Sequence, residues 1–322
     1  MQFKRTRSAF AAALLAAFAV AATAQDFPSR PITLVAPFPA GSVTDSVTRT
    51  LGQGLQELLG QTVVVENRAG AQGTVGATYV ARSKPDGYTL LVASSGMFVA
   101  RSYYKSLPYE PMASFAPVAG VGSTSMMFMV PEASPFKSMA DLTSAARSDA
   151  GGVTIGYGSP TGQLALSLFA TVANAKPAAI SYRGIPQALT DLLGGHVKVA
   201  IVDVGNGVAQ MNSGKMRALA ISAQARYPGA PTVPTLAELY PGVGDSLETI
   251  IAIVAPAGTP AATVQVLNNA LLAVLAKPEV KARFAALNTA MLPLSTAALA
   301  QRLKVDNPKW ESLIKRAGIE PE

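Results

Sequence analysis

Ser42, Thr44 and Asp45 stand directly after Pro37, Pro39 and Gly41 and just before a helical apolar pattern at Val47, Leu51, Leu55, Leu58 and Leu59. Ser, Thr and Asp are the side chains that cap helix N-termini, and the Pro/Gly turn ends the apolar, β-branched run Ile32–Ala36. A strand, a turn and a helix start leave several backbone N–H groups beside the positive end of a helix dipole, which suits an anion such as a carboxylate. An ordinary strand-to-helix connection in an α/β protein reads the same way. A second turn, Ser94-Ser95-Gly96, follows the run YTLLVA. Its hydroxyls would add neutral donors to a shared crevice, or would merely cap a strand. A third, Gly158-Ser159-Pro160-Thr161-Gly162, opens a helix through Leu164, Leu166, Leu168 and Phe169. Asp203 closes the strand Val197–Val202, where it could reach the crevice or cap the next helix. Both readings stay open.

The chemistry missing from the chain is as informative. It has no cysteine and a single histidine, His196, on a Gly-Gly-His turn where a surface position is expected. Transition-metal sites built on Cys and His are thereby excluded, and no GxSxG is present to seat a nucleophilic serine. The loop Asn67-Arg68-Ala69-Gly70-Ala71-Gln72-Gly73 does not fit GxGxxG, and no Lys-Ser/Thr follows it, which argues against nucleotide binding. Gly73 and Gly76 are read instead as permitting close helix–sheet packing. The expectation is a binding protein with no catalytic residues, no metal and no cofactor. Lys and Arg number 26 against 19 Asp and Glu, a net charge of +7. Basic residues are not interleaved with aromatics and no run of five like charges occurs, so nucleic acid is not an expected partner.

The elements that must position these turns follow from the pattern. Residues 1–24 read as a signal peptide: Lys4, Arg5 and Arg7, then an Ala-rich apolar run, then Ala22-Thr23-Ala24, with cleavage expected before Gln25 and export to the periplasm. Removing those three cations leaves 23 Lys and Arg against the same 19 acids, or +4. Short strands are read at Ile32–Ala36, Thr62–Glu66 and Tyr88–Ala93, each separated by a loop and a helix, which implies a parallel sheet with right-handed crossovers. Ligands of such sheets sit beyond the carboxyl ends of the strands. A Pro-rich passage around Leu107–Val118 leads to a first crossing near Ser123–Ser125. Met126–Val130, Val153–Tyr157, Ile180–Tyr182, Val197–Val202 and Met216–Ile221 then build a second unit. Ile250–Val254 crosses back, and helices at Thr263–Leu275, from Lys277 and at Leu299–Ile314 finish the chain, with Trp310 read as a core anchor. The expected division is 25–124 plus 251–322 for domain 1 and 125–250 for domain 2.

The stretches PSRPITLVAPFPAGSVTD, VVVENRAGAQGTVGATYVARSKPDGYTLL, SYRGIPQALTDLLGGHV and VAPAGTPA, in this order, resemble the Bug family. These are the substrate-binding proteins of tripartite tricarboxylate transporters. The resemblance covers essentially the whole chain after residue 24. It implies an α/β, two-domain type II periplasmic binding-protein fold, each domain a mainly parallel sheet flanked by helices, closing on a small carboxylate. It implies a primary carboxylate loop at Phe38, Pro39, Ala40, Gly41, Ser42 and Asp45, flanked by Ser94, Ser95 and Gly96. Ser159, Thr161 and Asp203 would read the ligand's distal groups, and Tyr182-Arg183-Gly184 would be mainly structural. Partners implied are the membrane subunits of a tripartite transporter, or alternatively a sensor kinase, with a monomer as the working state. The chain departs from the family pattern in three places. Ser42 stands where glycine is common, and Ala100-Arg101 replaces an Asn-Pro pair. The loop Tyr157–Leu164 is shortened and lacks the family's histidine, so the distal wall of the pocket is remodelled.

Overall fold

The structure is a computed structural model and describes residues 27–243 and 247–321. The signal-peptide reading falls outside these residues. The chain runs β1 (Ile32–Ala36), α1 (Val43–Leu59), β2 (Val63–Asn67), α2 (Thr74–Ala81), β3 (Thr89–Ser94), the one-turn α3 (Ser95–Phe98) and β4 (Phe115–Thr124). A second lobe follows with β5 (Met126–Pro131), α4 (Met139–Ser148), β6 (Thr154–Tyr157), α5 (Pro160–Val172), β7 (Ala178–Ser181), α6 (Ile185–Leu193), β8 (Val199–Asp203), α7 (Val204–Asn212), β9 (Met216–Ile221) and the short α8 (Leu236–Leu239). β10 (Thr249–Pro256) returns, followed by α9 (Ala261–Ala276), α10 (Pro278–Ala286), β11 (Ala290–Leu294) and α11 (Thr296–Arg316).

Two sheets result, in the orders β11-β4-β10-β3-β1-β2 and β7-β6-β8-β5-β9. Each is covered on both faces. In the first, Ile32 and Leu34 of β1 pack with Leu51, Leu55, Leu271 and Phe284 from α1, α9 and α10. Val35 points to the opposite face, with Ala77, Val80, Leu299 and Leu303 from α2 and α11. Alternation of side chains across a strand, with both faces apolar, is the pattern of a strand buried between helical layers. The second sheet is treated likewise, by α6 and α7 on one face and by α4 and α5 on the other. The latter layer also takes Trp310, Leu313 and Ile314, so the second half of α11 lies against the second lobe.

The two α/β sheets flanked by helices, each with most of its strands in one direction, agree with expectation. β1 pairs in parallel with β2 and β3, and β6 with β7 and β8. However, β10 runs antiparallel to both β3 and β4, and β11 antiparallel to β4. β5 runs antiparallel to β8 and β9. Four of the six strands in the first sheet and four of the five in the second thus run the same way, with β10, β11 and β5 reversed. The cause is the crossing itself: β5 and β10 are the strands by which the chain enters one lobe from the other, and each arrives running against its neighbours.

Two strands were not expected. β4 carries Pro117, Gly120 and Gly122, residues that ordinarily mark a loop. Here the glycines admit β11: a Cβ on Gly120 would lie 2.8 Å from Leu294 Cβ, and one on Gly122 would lie 3.0 Å from the Ala290 carbonyl oxygen. β11 contains Pro293 and pairs only with β4, at the sheet edge where a missing N–H is tolerated.

Candidate ligand-binding site

The two lobes meet over a cavity of about 40 Å³ at the carboxyl ends of β1, β3, β6 and β8. Five helix starts, those of α1, α3, α5, α6 and α7, reach its wall. Ser42 is the N-cap of α1 and its Oγ accepts from the Asp45 N–H at 3.1 Å. Val43 and Thr44, the first two helical positions, also line the cavity, and N–H groups at these positions have no partner within their own helix. Across the gap, Ser159 caps α5 by accepting from the Gly162 N–H at 3.1 Å, and Thr161 at the second helical position faces the cavity. The Thr161 and Thr249 hydroxyls are 2.7 Å apart and join the lobes.

The start of α7 is capped by a carboxylate. Asp203 caps α7, its Oδ1 accepting from the Asn206 N–H at 2.8 Å and its Oδ2 from the Asn206 side-chain amide at 2.9 Å. The Val204 N–H is spent on the Ser125 carbonyl at 3.0 Å. Both readings left open for Asp203 are therefore realised, since it caps the helix and also lines the cavity. Burial pushes its carboxyl above the ordinary range, against the lowering effect of the Asn206 and Gly205 donors. Among the described residues lining the cavity there is no Lys, Arg or His, and Asp203 is the one charged side chain.

Phe38, Ser42, Ser94, Ser159, Thr161 and Asp203 thus come together on one wall-to-wall site. The other expected residues surround it without lining it. Asp45 is buried behind the loop: its carboxylate accepts from the Gly41 N–H at 3.1 Å, from Arg49 Nε at 3.2 Å and from Asn67 Nδ2 at 2.8 Å. Burial acts to raise its pKa, and the donors Arg49, Asn67 and Gly41 outweigh that and hold it low. Asp45 therefore shapes the loop, and the Gly41 N–H is turned onto it. Ala40 is exposed and Pro39 abuts Gly184. Ser95 Oγ accepts from the Ile250 N–H at 2.8 Å, which ties α3 to the returning strand. Gly96 lies where α3 meets α5: an added Cβ would sit 2.5 Å from Pro160 Cβ.

The wall also includes Thr124, Met126, Gly158, Ile185, Thr249 and Ile251, which sequence reasoning did not select. Gly158 and Ile185 belong to turns that were singled out, so a signal existed. Thr124, Met126, Thr249 and Ile251 lie on the strands at the two crossings, and only the topology brings them to the cavity.

Two lobes joined by paired strands, with helix starts from both facing one cavity, define a two-domain solute-binding protein. The profile of the tripartite tricarboxylate transporter family receptor matches residues 47–319, and the chain belongs to that family. An uncharacterised relative encoded in a tcbD–tcbE intergenic region of Pseudomonas sp. strain P51 is 34% identical over 291 residues, covering 89% of this chain and 86% of the relative. The periplasmic binding protein BugD superposes with a TM-score of 0.86 at 33% identity, over 92% of this chain and all of BugD. The R. palustris protein Rpa4515 with adipate superposes at 0.87, with 30% identity over 92% of this chain and all of that one. MatC from Rhodopseudomonas palustris with bound malate gives 0.84, with 29% identity over 89% of this chain and all of MatC. Among the described residues no cluster of His, Cys, Asp or Glu could hold a metal ion. No described helix is long and apolar enough to cross a membrane. The family is one of solute receptors rather than enzymes.

Proposed function

We propose that the protein is a periplasmic receptor that captures a small carboxylate between its lobes and delivers it to the membrane subunits of a tripartite tricarboxylate-type transporter. The observation that carries this reading is the pairing of two serine-capped helix starts, those of α1 and α5, across one cavity that no described Lys, Arg or His lines. Neutral donors at positive helix ends stabilise a carboxylate by dipole and hydrogen bond together. They also discriminate, because a ligand lacking the anion leaves those donors desolvated and poorly paired. Ser42, Val43 and Thr44 would hold the carboxylate on the first lobe, with Ser94 beside them and Ser159 and Thr161 closing from the second. The adipate and malate bound by relatives support the ligand class.

The test is a melting-temperature screen of residues 25–322 against small carboxylates and their matched amides. Ligand at about a hundred times its dissociation constant adds roughly 2.7 kcal/mol of stability. A shift given by an acid and lost with its amide is the expected result. Equal shifts from acid and amide would refute carboxylate recognition. For the partner, the ligand-saturated protein immobilised on beads should retain the transporter's membrane subunits; recovery of a sensor kinase in their place would overturn the delivery role.

A further inference from the structure

Thr249 opens β10 opposite Thr124 and lines the cavity from the crossing strand. Its Oγ1 lies 2.7 Å from that of Thr161, on the first turn of α5. Both residues are buried, at 4% and 2% exposure, and neither hydroxyl has another hydrogen-bond partner among the described residues. A hydroxyl carries one proton and two acceptor positions. The bond between the two oxygens uses one proton of the pair and leaves the other. Whichever oxygen donates to its neighbour, the neighbour's own O–H is left without an acceptor in the protein. A buried donor with no acceptor is costly, and the space that both residues line is the cavity between the α1 and α5 starts. The pair is also held in place. Tyr103 Oη of the first lobe donates to the Pro160 carbonyl at 3.1 Å, and Gln72 Nε2 donates to Gln163 Oε1 at 2.7 Å. Positions 160, 161 and 163 of α5 are thus bonded to three different segments of the first lobe, which fixes this turn against Thr249.

We propose that Thr249 and Thr161 act as one donor, presenting a single O–H to an acceptor oxygen of the bound acid. This inference rests on the carboxylate reading given above and adds to it a residue of the crossing strand that the helix starts do not include. The oxygen that donates to the ligand also accepts from the other threonine, and a hydroxyl that accepts a bond is the stronger donor. Thr249 therefore takes part in recognition in either order, by facing the ligand itself or by standing behind Thr161 as a positioning residue. The pair is neutral, and its bond to a charged acceptor is stronger than its bond to a neutral one. It thus supports the same preference as the backbone N–H groups of the helix starts.

The experiment is calorimetric titration of wild type, Thr249→Val and Thr249→Ser with adipate, malate, succinate and butyrate. Valine keeps the shape and the strand preference but lacks the hydroxyl; serine keeps the hydroxyl and lacks the methyl group. For each acid that wild type binds, Thr249→Val should bind about tenfold or more weakly, as for a lost hydrogen bond to a charged group, and Thr249→Ser should stay within about threefold of wild type. Acid-bound Thr249→Val should keep the wild-type radius of gyration in small-angle scattering, because the Tyr103 and Gln72 bonds to α5 remain. A smaller loss in Thr249→Val, or an equal loss in Thr249→Ser, overturns the inference and leaves the carboxylate reading standing. So does a larger radius in the bound valine variant, which would show that the hydroxyl holds the lobes together rather than donating to the ligand. If folded wild type binds none of the four acids, the carboxylate reading falls and the inference with it.

Discussion

Replacing Asp45 by asparagine tests whether the primary loop is held from behind, as its contacts indicate. One carboxylate oxygen takes the Gly41 N–H and Arg49 Nε, and the other takes Asn67 Nδ2 and lies 2.9 Å from Arg49 Nη2. An asparagine amide has one acceptor oxygen, so either orientation points its NH2 at a donor: at Gly41 and Arg49, or at Asn67. The lost charge-assisted bond is worth about 1.5–3 kcal/mol, and the orphaned buried donor adds about 1–3 kcal/mol. Arg49 is half exposed, so its share is discounted for solvent screening. A net loss of about 3 kcal/mol is expected. With about 2.1 cal/mol/K of unfolding entropy per residue over roughly 300 residues, that is a fall of about 5 °C in melting temperature. The difference should depend on pH in one direction. The folded-state pKa of Asp45 is depressed below its ordinary value of 3.8, so its contribution is complete above that value and is lost as pH falls through the folded-state pKa. Wild type and Asp45→Asn should therefore converge in acid. Melting curves of the two proteins at pH 7 and towards pH 3 decide the matter. Equal melting temperatures at pH 7, or a gap that widens in acid, would refute the proposed role of the carboxylate.

Two further substitutions address closure. Gly184 has an extended φ of −177°, which any residue adopts, and an added Cβ would lie 2.5 Å from Pro39 Cδ across the cleft. Gly184→Ala should therefore leave the melting temperature of ligand-free protein within a degree or two while weakening ligand binding about tenfold, read by calorimetry; unchanged affinity would mean that the lobes need not approach this closely. Gln72 adopts φ 52°, a conformation natural to glycine, and spends it on a side-chain bond of 2.7 Å to Gln163 on α5. Gln72→Gly relieves backbone strain of about 1 kcal/mol and removes one neutral bond worth about 0.5–1.5 kcal/mol, so stability should stay level while the ligand off-rate rises several-fold in stopped-flow measurements. An unchanged off-rate would show that this cross-lobe bond does not hold the closed form.

Much of this architecture is legible in the chain because its signals are local. Ile32–Ala36 and Met216–Ile221 are strands with the expected bounds, since a short apolar run between turn residues has few other uses in an α/β protein. The helix caps at Ser42, Ser159 and Asp203 are likewise written in residue type. What was not legible is what depends on partners distant in sequence. β4 looks like a loop until β11, more than 160 residues later, comes to lie against its glycines. The antiparallel entry of β5 and β10 depends on how the lobes are joined, which no local pattern encodes. Asp45 has the same cap-type chemistry as Ser42, but its carboxylate turns away from the cavity because Asn67 and Arg49, contributed by a strand end and the next helical turn, are there to receive it.

The division of donors between lobes explains how a site without cations can serve a receptor. α1 belongs to the first sheet's layer, and α5 and α7 to the second's. Neither lobe alone surrounds a ligand, so full interaction is available only when the cleft is closed, and the binding free energy is coupled to closure. An arginine clamp would hold a carboxylate strongly from one side in either state. Helix ends give weaker, directional contacts that lose their geometry as soon as the lobes part, which favours release once the cleft opens. The last helix bears on the same motion. Leu299 and Leu303 of α11 pack on the first lobe, Trp310, Leu313 and Ile314 pack on the second, and Pro308 lies between the two sets. A proline removes an intrahelical hydrogen bond and makes its position the natural point of bending. The chain thus crosses between lobes a third time, through a continuous helix that carries its proline at the crossing.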